Sequence, residues 1–502
     1  MPGPRVTGTP PTFELSCDEA GRITPRLLRL AVRPNQNGDA YIRKLCELIA
    51  GDLAVRATAI RKARSVRQEP TLERLHGMEE AVAWGLTLKT ELASYADGTR
   101  DWADIDRGLL LSGAPGTGKS LFARALAVSC GVPLISGSYA TWIGNGTGHQ
   151  GDLIRAMRAS FREAKEKAPS ILFIDEVDSF QDRARVSDHH RDWSVQVVNA
   201  LLAEVDGVED REGVVILAAC NDPGRLDPAL VRAGRLDHHI LIGRPDRGSL
   251  ALILREHLGT DLGGEALDQI TLLALGFTGA DAEKAVRGAR RRARSAGRLM
   301  AMGDLTSEIV GQDRRTPDEL RLAAVHEAGH AVAAYVLGIV MDGLTLRQSG
   351  FSGGQLFARA PAGYLAGADV HDQLVMLLSG RAAEDVIVRR VTSGAGGAGN
   401  SDLALATRLA ARSAVELGLE EDYGLIWSAV PERQEDLRRL FTANHRLADL
   451  IRIRLAGAYE SAVSLMERHR VAILALADLL AEQIAMDPEQ IARVLQATGC
   501  RR

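Results

Sequence analysis

The sequence predicts a parallel α/β module with helices on both faces of its sheet and a helical lid, followed by a mainly α-helical domain. Between residues 71 and 246, short apolar runs of β type alternate with helical patterns, which is the rhythm of a parallel sheet covered on both faces. Residues 247–303 and 318–502 have helical patterns almost throughout. The predicted strands are Gly108–Leu111, Val132–Ser136, Ile171–Asp175 and Val214–Cys220.

The chain of 502 residues is long enough for about three domains of ordinary size. We divide it into an N-terminal region at 1–70, a large α/β subdomain at 71–246, a helical lid at 247–303, a polar linker at 304–317 that ends in a proline, and a second domain at 318–502. We expect the N-terminal region to be a small helical adaptor or a partly flexible arm, and we assign it no chemistry.

Composition excludes several classes of protein. The net charge of −4 and the pI of about 6.3 give no basic field, so nucleic acid is not an expected partner. The five cysteines are scattered without a CxxC pair, which fits a reducing compartment and excludes a cysteine-based zinc framework. The longest apolar run, Ala331–Met341, is shorter than the ~20 residues of a membrane span. We therefore expect a cytoplasmic protein without an integral membrane segment.

A glycine-rich motif after the first predicted strand predicts a nucleotide site. Residues 113–120 match GxxxxGK[ST] and precede a helical pattern, which is the context that the motif requires. Its glycines let backbone N–H groups surround the phosphates, its lysine can reach the β- and γ-phosphates, and its serine can bind Mg²⁺. The residues assigned to ATP here are Gly113, Pro115, Gly116, Thr117, Gly118, Lys119 and Ser120.

An acidic pair follows another buried strand. Asp175 and Glu176 stand at the carboxyl end of the predicted strand, which is the sheet edge where ligands bind in open α/β proteins. We expect Asp175 to hold the metal, directly or through water, and Glu176 to polarise the attacking water. Helix capping is the alternative for such a pair, and the upstream phosphate loop disfavours it.

The segment Cys220–Arg235 resembles the second region of homology of the AAA+ ATPases. The resemblance implies that Asn221 positions the attacking water and that Arg232 and Arg235 are arginine fingers for the γ-phosphate of the next subunit. An arginine supplied in trans neutralises transition-state charge, so the resemblance also implies a ring. Read alone, two arginines at this spacing are more often solvated surface residues.

Other segments resemble the same family. Leu75–Gly77 corresponds to the segment that contacts adenine, which makes Gly77 a candidate nucleotide residue, and Gly276–Asp281 resembles the start of the lid helix. Asp206–Val208 stands where the family often has Asp-Gly-Phe, a motif of intersubunit signalling, but the aromatic residue is missing. We expect the arginine-rich stretch Arg287–Arg298 to be a solvated or intersubunit helix face rather than a nucleic-acid patch.

Trp142 and Ile143 are the candidate residues of a substrate pore. With Gly144 they fit the aromatic, hydrophobic and glycine loop by which AAA+ unfoldases grip polypeptide. An aromatic side chain on a glycine-flanked loop offers a large apolar contact on a mobile backbone. The alternative is that Trp142 is an ordinary buried anchor.

An HExxH motif inside a helical apolar pattern predicts a zinc peptidase. His326 and His330 are four residues apart, so both imidazoles extend from one face of the helix as zinc ligands. Glu327 stands beside them as the general base for the attacking water. Small residues around the motif let the helix pack closely, and the form His-Glu-Ala-Gly-His is the one that FtsH peptidases use.

The resemblance to the FtsH peptidases also supplies a third zinc ligand. The stretch Thr392–Leu403 is similar to the family segment whose aspartate binds zinc, which makes Asp402 the candidate. Ser401 or Asp402 could instead cap the helix that begins near residue 403. Glu384, in another family motif, is the competing ligand, and we rank it as a residue behind the ligands or in helix packing.

The resemblance covers roughly residues 71–502 and implies an ATP-dependent zinc metalloprotease of the FtsH type without the usual transmembrane anchor. It implies a homo-hexameric ring, unfolded or tagged protein substrates, and the cofactors ATP, Mg²⁺ and Zn²⁺. A membrane location would then require recruitment by a partner. The alternatives are a remodelling ATPase with a retired peptidase domain and a ring-forming regulator that binds ATP without turnover. The complete motifs of both sites argue against these alternatives.

Overall fold

The computed structural model describes residues 40, 41, 44, 69–144, 150–180, 183, 191–206, 212–348, 353–359, 363–397, 399–421, 423–431 and 434–501. The chain divides into two compact units, Met1–Pro70 and Thr71–Arg502. The predicted N-terminal adaptor lies almost entirely outside the described residues and stays a prediction. Both sheets and both candidate sites lie in the second unit.

A five-stranded parallel sheet forms the centre of the α/β module. Its strands lie in the order β2-β3-β4-β1-β5, and every neighbouring pair is parallel. The strands are β1 at Gly108–Ser112, β2 at Leu134–Ser138, β3 at Ser170–Asp175, β4 at Val214–Cys220 and β5 at His238–Leu241. The four predicted strands are confirmed. Strand β5 was not predicted, because it is a short edge strand whose two histidines interrupt the apolar pattern.

Helices cover both faces of this sheet. They are α1 at Glu79–Ala96, α2 at Lys119–Cys130, α3 at Tyr139–Gly144, α4 at Gln150–Glu166 and α5 at Arg191–Asp206. Side chains alternate between the faces of a strand, so Leu109 and Leu111 of β1 pack in the core under α1 and α2. Leu110 packs in the opposite core, with apolar side chains of α4 and α5. Burial on both faces explains why the strands appear as continuous apolar runs.

The helical lid follows the sheet and has its own apolar core. Its helices are α6 at Arg247–Leu258, α7 at Asp268–Leu273, α8 at Gly279–Ser295 and α9 at Met302–Val310. The predicted linker 304–317 included most of α9, and this prediction is wrong because Leu305 and Ile309 are buried in the lid core. The extended linker is confined to residues 311–316. Arg298, in the arginine-rich stretch, pairs with Asp304 of α9 at 2.6 Å.

The second domain is mainly helical, as predicted, but it also contains a small antiparallel sheet in the order β7-β6-β8. Its strands are β6 at Met341–Thr345, β7 at Gln355–Ala358 and β8 at Ala485–Met486. Its helices are α10 at Pro317–Val336, α11 at Gly367–Ala383, α12 at Asp402–Val415, α13 at Gln434–Ala443, α14 at His445–Arg468, α15 at Arg470–Gln483 and α16 at Pro488–Ala497. Within the described ranges, no helix combines the length and the hydropathy that a bilayer span requires.

Helix α10 is the centre of this domain. A capping box of Thr316 and Glu319, with Pro317 at the first helical position, fixes where it begins. Its second half is buried, and at Gly329 it approaches α11 so closely that a Cβ would lie 2.6 Å from Ser379 O. The predicted close packing of this helix is therefore present, and it requires glycine at position 329.

Gly329→Ala should weaken the contact between α10 and α11. We expect a loss of about 1–3 kcal/mol in local stability, because the added methyl group overpacks the interface. Native-state hydrogen exchange of the α10 amides, followed by mass spectrometry, measures this loss. The control is Gly457→Ala on α14, where nothing lies within 4 Å of the new methyl group. Equal protection in the two variants would contradict the prediction.

Candidate functional sites

The phosphate loop joins β1 to α2 and has a conformation that its glycines permit. Gly116 and Gly118 have φ angles of 82° and 104°, a region that favours glycine. Lys119 is buried at the start of α2, and its Nζ donates to the carbonyl oxygens of Gly113 at 2.7 Å and Ala114 at 3.2 Å. Burial lowers the pKa of the Lys119 ammonium group. The two hydrogen bonds hold the Lys119 side chain against the loop.

Other predicted residues meet Lys119 at the carboxyl end of the sheet. Its Nζ also donates to Asn221 Oδ1 at 3.0 Å. Ser120 Oγ donates to Asp175 Oδ2 at 2.9 Å. A hydroxyl group beside a carboxylate offers the oxygen ligands that Mg²⁺ prefers. The structure thus brings residues from the phosphate loop, β3 and the end of β4 into one connected group.

Glu176 follows β3 in a left-handed backbone conformation, with a φ angle of 52°. Its N–H donates to Asp175 Oδ1 at 2.9 Å. A conformation of this kind costs on the order of 1–3 kcal/mol in a residue other than glycine, and such residues cluster at functional sites. Strand β3 ends at Asp175, so the side chains of Asp175 and Glu176 do not have to point to opposite faces of the sheet, as successive residues of a strand do.

Sequence reasoning missed Asp178, which lies behind the nucleotide residues. Its Oδ2 accepts hydrogen bonds from the backbone N–H groups of Asn221 at 3.2 Å and Asp222 at 3.3 Å, and its side chain is buried. A carboxylate that accepts two backbone N–H groups fixes the turn that carries Asn221. The available signal was a third acidic residue two positions after the Asp175–Glu176 pair.

The lid reaches the phosphate loop through the start of α8. A capping box of Thr278 and Asp281 begins this helix, and the Ala280 N–H donates to Gly116 O at 3.2 Å. Thr278 packs so closely that a Cβ at Gly116 would lie 2.9 Å from its Oγ1. The positive end of the helix dipole therefore lies beside the loop, where it would favour a bound phosphate.

Gly77 lies at the border of the same region. It has a φ angle of 76°, and a Cβ there would lie 3.0 Å from Pro245 Cβ, just before the lid. The next residue, Met78, packs on Gly118 so closely that a Cβ there would lie 2.9 Å from Met78 Cε. Gly77 is thus adjacent to the phosphate loop through its neighbour in the chain.

The two candidate arginine fingers follow β4. Arg232 is exposed, whereas Arg235 donates to Asp206 at the end of α5 and to the carbonyl oxygen of Ala229. In the part of the chain that the structure describes, neither arginine is hydrogen-bonded to the phosphate loop. Of the segment Asp206–Val208, only Asp206 is among the described residues.

The structure does not place Trp142 on a pore surface. Its indole is 2% exposed, packs against Phe180 with ring centroids 6.1 Å apart, and donates from Nε1 to Ser160 Oγ at 2.9 Å. The predicted pore contact of Trp142 is therefore wrong, because a side chain inside the core cannot contact a passing polypeptide. Ile143 is half-buried at the end of α3, and residues 145–149 lie outside the described residues.

The three predicted metal ligands form a compact cluster. His326 and His330 extend from one face of α10, with their Nε2 atoms 3.1 Å apart. Asp402 Oδ2 at the start of α12 lies 3.1 Å from His326 Nε2 and 3.4 Å from His330 Nε2. These three ligand atoms lie within 4.8 Å of one another and could hold a metal ion. A set of three protein ligands leaves a fourth zinc position for water or substrate.

Glu384 faces the other side of His326. Its Oε1 lies 2.7 Å from His326 Nδ1, and its Oε2 accepts from the Thr392 N–H at 2.7 Å. The Nδ1 atom of His330 lies 2.7 Å from the carbonyl oxygen of Met376. Partners at Nδ1 fix the orientation and tautomer of each ring and direct Nε2 toward Asp402. Asp402 rather than Glu384 therefore lies on the Nε2 side of both histidines.

The carboxylates around the two histidines stabilise positive charge at the centre of the cluster. Burial acts to lower the pKa of His326, but the carboxylates of Asp402 and Glu384 outweigh it and raise the pKa to about 10. Burial acts to raise the pKa of Asp402, and the two imidazoles outweigh it, so the net change is downward. Glu327 is buried beside the cluster, and that burial raises its pKa. This donor set fits a divalent cation such as Zn²⁺.

Two family models match the chain. The family described as ATPase family associated with various cellular activities matches residues 109–244, and Peptidase family M41 matches residues 314–494. The chain is 34% identical to ATP-dependent zinc metalloprotease FtsH 1 of Symbiobacterium thermophilum, over 91% of this chain and 78% of that protein. It is 32% identical to ATP-dependent zinc metalloprotease FtsH of Thermotoga maritima, over 86% of this chain and 75% of that protein.

The chain belongs to the FtsH family of ATP-dependent zinc metalloproteases. A third relative, FtsH 3 of Symbiobacterium thermophilum, is 31% identical over 86% of this chain and 72% of that protein. Both matched families lie in the unit that contains both sites. The described geometry is therefore that of an FtsH-family ATPase module followed by an FtsH-family peptidase domain.

A glycine of α11 makes room for the FtsH-family histidine pair. A Cβ at Gly380 would lie 2.5 Å from His326 Nε2 and in closer contact still with His330 Nε2. Any side chain at this position would occupy the space of the ligand atoms. Sequence reasoning missed this role, since no local pattern around Gly380 indicates that a distant pair of histidines lies against it.

Gly380→Ala should reduce zinc binding while the fold persists. We expect zinc affinity to fall about 10–100-fold, the range found when groups that orient metal ligands are changed. Competition with a chromophoric chelator measures the affinity, and circular dichroism checks the fold. Gly396→Ala is the matched control, because nothing lies within 4 Å of that Cβ and the residue has a φ angle of −135°. Unchanged zinc affinity in Gly380→Ala would refute this role for Gly380.

Proposed function

We propose that this FtsH-family chain unfolds protein substrates, moves them through a homo-hexameric ring by ATP hydrolysis, and hydrolyses their peptide bonds at a zinc site. The observation that carries this proposal is the cluster of His326, His330 and Asp402 with Glu327 beside it. A complete set of nucleotide residues on the same chain supports it. One site for ATP hydrolysis and one for peptide hydrolysis on the same chain fit an enzyme that moves unfolded protein to its own peptidase site.

In the peptidase step, His326, His330 and Asp402 hold the zinc ion. When bound, zinc supplies Lewis acidity toward the attacking water and the substrate carbonyl group. Glu327 accepts a proton from the water at its carboxylate and delivers it to the leaving amine nitrogen. Burial raises the pKa of the Glu327 carboxyl group, which makes its carboxylate a stronger base. Glu384 holds His326 in the orientation that binding requires.

In the ATPase step, the phosphate loop binds the triphosphate and Lys119 neutralises its charge. Ser120 and Asp175 hold Mg²⁺, which is consistent with their mutual hydrogen bond. Glu176 activates the attacking water, and Asn221 orients it. The adenine ring is assigned to the segment of Gly77, which adjoins the loop.

The hexameric ring is proposed from the arginine fingers. Arg232 is exposed and thus available to a neighbouring subunit. Arg235 would have to exchange its partner Asp206 for the neighbouring nucleotide on assembly. Ile143 remains the candidate pore residue, and the buried Trp142 is reassigned as an anchor beneath it.

The peptidase role is tested with casein, ATP and three proteins. The unchanged chain should degrade casein only with ATP, and a zinc chelator should abolish cleavage. Glu327→Gln should lower cleavage at least about a hundredfold, because the general base is lost, while zinc content and ATPase rate persist. The matched variant, Glu176→Gln, should lose ATP hydrolysis while zinc content stays normal.

One outcome would favour the rival function. If purified chain hydrolyses ATP but contains no zinc after zinc loading and cleaves neither casein nor short peptides, a remodelling ATPase on a retired peptidase fold replaces this proposal.

The ring assignment predicts rescue between two inactive variants. Arg232→Ala should lower the ATPase rate about a thousandfold, because a finger in trans stabilises transition-state charge. Mixing Arg232→Ala with Glu176→Gln should restore part of the activity, since some interfaces then pair an intact Glu176 with an intact finger. The ATPase rate of the mixture is measured against the two separate proteins.

Arg225→Ala is the control for this experiment, because Arg225 is another exposed arginine in the same segment. It should keep the full rate. A mixture no faster than the sum of its parts would contradict the assignment of Arg232 as a finger in trans.

A further inference from the structure

The β6–β7 hairpin contacts the general base of the peptidase site. Just before β7, a Cβ at Gly354 would lie 2.6 Å from Glu327 Cγ, so the hairpin backbone is in close contact with this side chain. The position of Glu327 therefore depends on the position of β7.

The opposite face of the same strand packs into the lid. Phe357 is partly buried and packs against the lid core, whereas its neighbour Leu356 packs against the apolar core of the peptidase domain (the peptidase core). This division follows from the alternation of side chains along a strand. Phe357 lies so close to the lid that a Cβ at Gly276 would be 2.7 Å from its Cε1. One strand thus connects two apolar cores.

Polar contacts fasten the hairpin to the lid. Arg347, just after β6, donates to the carbonyl oxygens of Leu273 at 3.1 Å and Leu275 at 2.9 Å. Its guanidinium carbon lies 4.6 Å from the centroid of the Phe277 ring, within the range of a cation–π contact. These contacts hold the residues that immediately precede α8.

The linker between the lid and α10 is attached to the same hairpin. Arg315 donates to the carbonyl oxygen of Leu346 at 2.6 Å and to that of Gly353. These two carbonyl groups lie just beyond the facing ends of β6 and β7. A movement of the linker would therefore reach both strands.

The lid residues that contact the hairpin continue directly into the nucleotide site. Thr278 follows Phe277 and caps α8, whose first turn packs on Gly116 of the phosphate loop. A continuous series of contacts thus runs from the phosphate loop through the start of α8 to Phe357. From Phe357 it continues along the chain to Gly354, whose backbone packs against Glu327. Each step is direct packing, a hydrogen bond or a covalent link along the chain.

We propose that Phe357 is a positioning residue that couples the nucleotide site to the peptidase site, so that ATP at the phosphate loop changes how the Gly354 backbone packs against Glu327. This inference rests on the proposed function of both sites. A ligand that shifts the start of α8 displaces Phe357 and, with it, β7. Because coupling is reciprocal, a ligand at the zinc site must change ATP affinity by the same factor.

The test measures both directions of coupling in the full-length chain loaded with zinc. A Glu176→Gln background prevents ATP consumption. One titration gives the Kd of a fluorescent ATP analogue with and without a peptide hydroxamate, and the other gives the Kd of the hydroxamate with and without ATP. We expect the two factors to agree and to be at least about fivefold. Phe357→Ala should bring both factors to within about twofold of one, with each single-ligand Kd little changed.

Phe441→Ala is the matched control, because Phe441 on α13 is also half-buried but packs against the peptidase core away from the lid. It should keep the full coupling. Phe357→Leu should keep most of the coupling. If Phe357→Ala unfolds, this second variant keeps the inference testable. Arg347→Lys should reduce the coupling, because lysine cannot span two carbonyl oxygens with a planar group.

The inference is overturned if both ligands bind the unchanged chain without affecting each other, or if coupling survives in every Phe357 and Arg347 variant. Failure of the proposed function has a different signature: the unchanged chain would bind no hydroxamate after zinc loading, or no ATP analogue. That result would remove the inference together with the function on which it rests.

Discussion

The close contact between α10 and α11 is the constraint on which the peptidase half of the molecule depends. Glycine at positions 329 and 380 lets the two helices approach until the imidazoles of one lie against the backbone of the other. The approach brings the Met376 carbonyl group to one histidine and the Glu384 carboxylate to the other. Because both Nδ1 atoms have partners, the Nε2 atoms point to Asp402. The packing of the two helices therefore also sets the geometry of the metal ligands.

Much of each site could be predicted because its chemistry depends on one local element. Residues 113–120 form a strand, loop and helix unit whose backbone alone creates a phosphate cradle. The spacing of His326 and His330 places both rings on one helix face whatever the tertiary fold. Asp402 differs, since it comes from a later helix. Only the family resemblance indicated it, and the residues themselves left Glu384 as an alternative.

The features that sequence reasoning missed depend on contacts between distant segments. Trp142 has the sequence neighbours of a pore residue, but its burial against Phe180 is decided by tertiary packing. The small sheet combines strands of two to five residues, one of them near the end of the chain, and such strands are too short for periodicity to detect. Helix α9 was mistaken for linker because its exposed face is polar, while Leu305 and Ile309 face the lid.

At Gly380, helix propensity and the metal site make opposite demands. A glycine inside a helix is about 0.5–1 kcal/mol less stable than alanine. Stability alone would therefore favour its replacement, and the space required by the two imidazoles is what opposes that change. A side chain at position 380 would fit only if both imidazoles moved or were replaced by smaller groups. The residue at position 380 is thus coupled to the histidine pair, and a chain with a larger residue there would be expected to lack the two imidazoles.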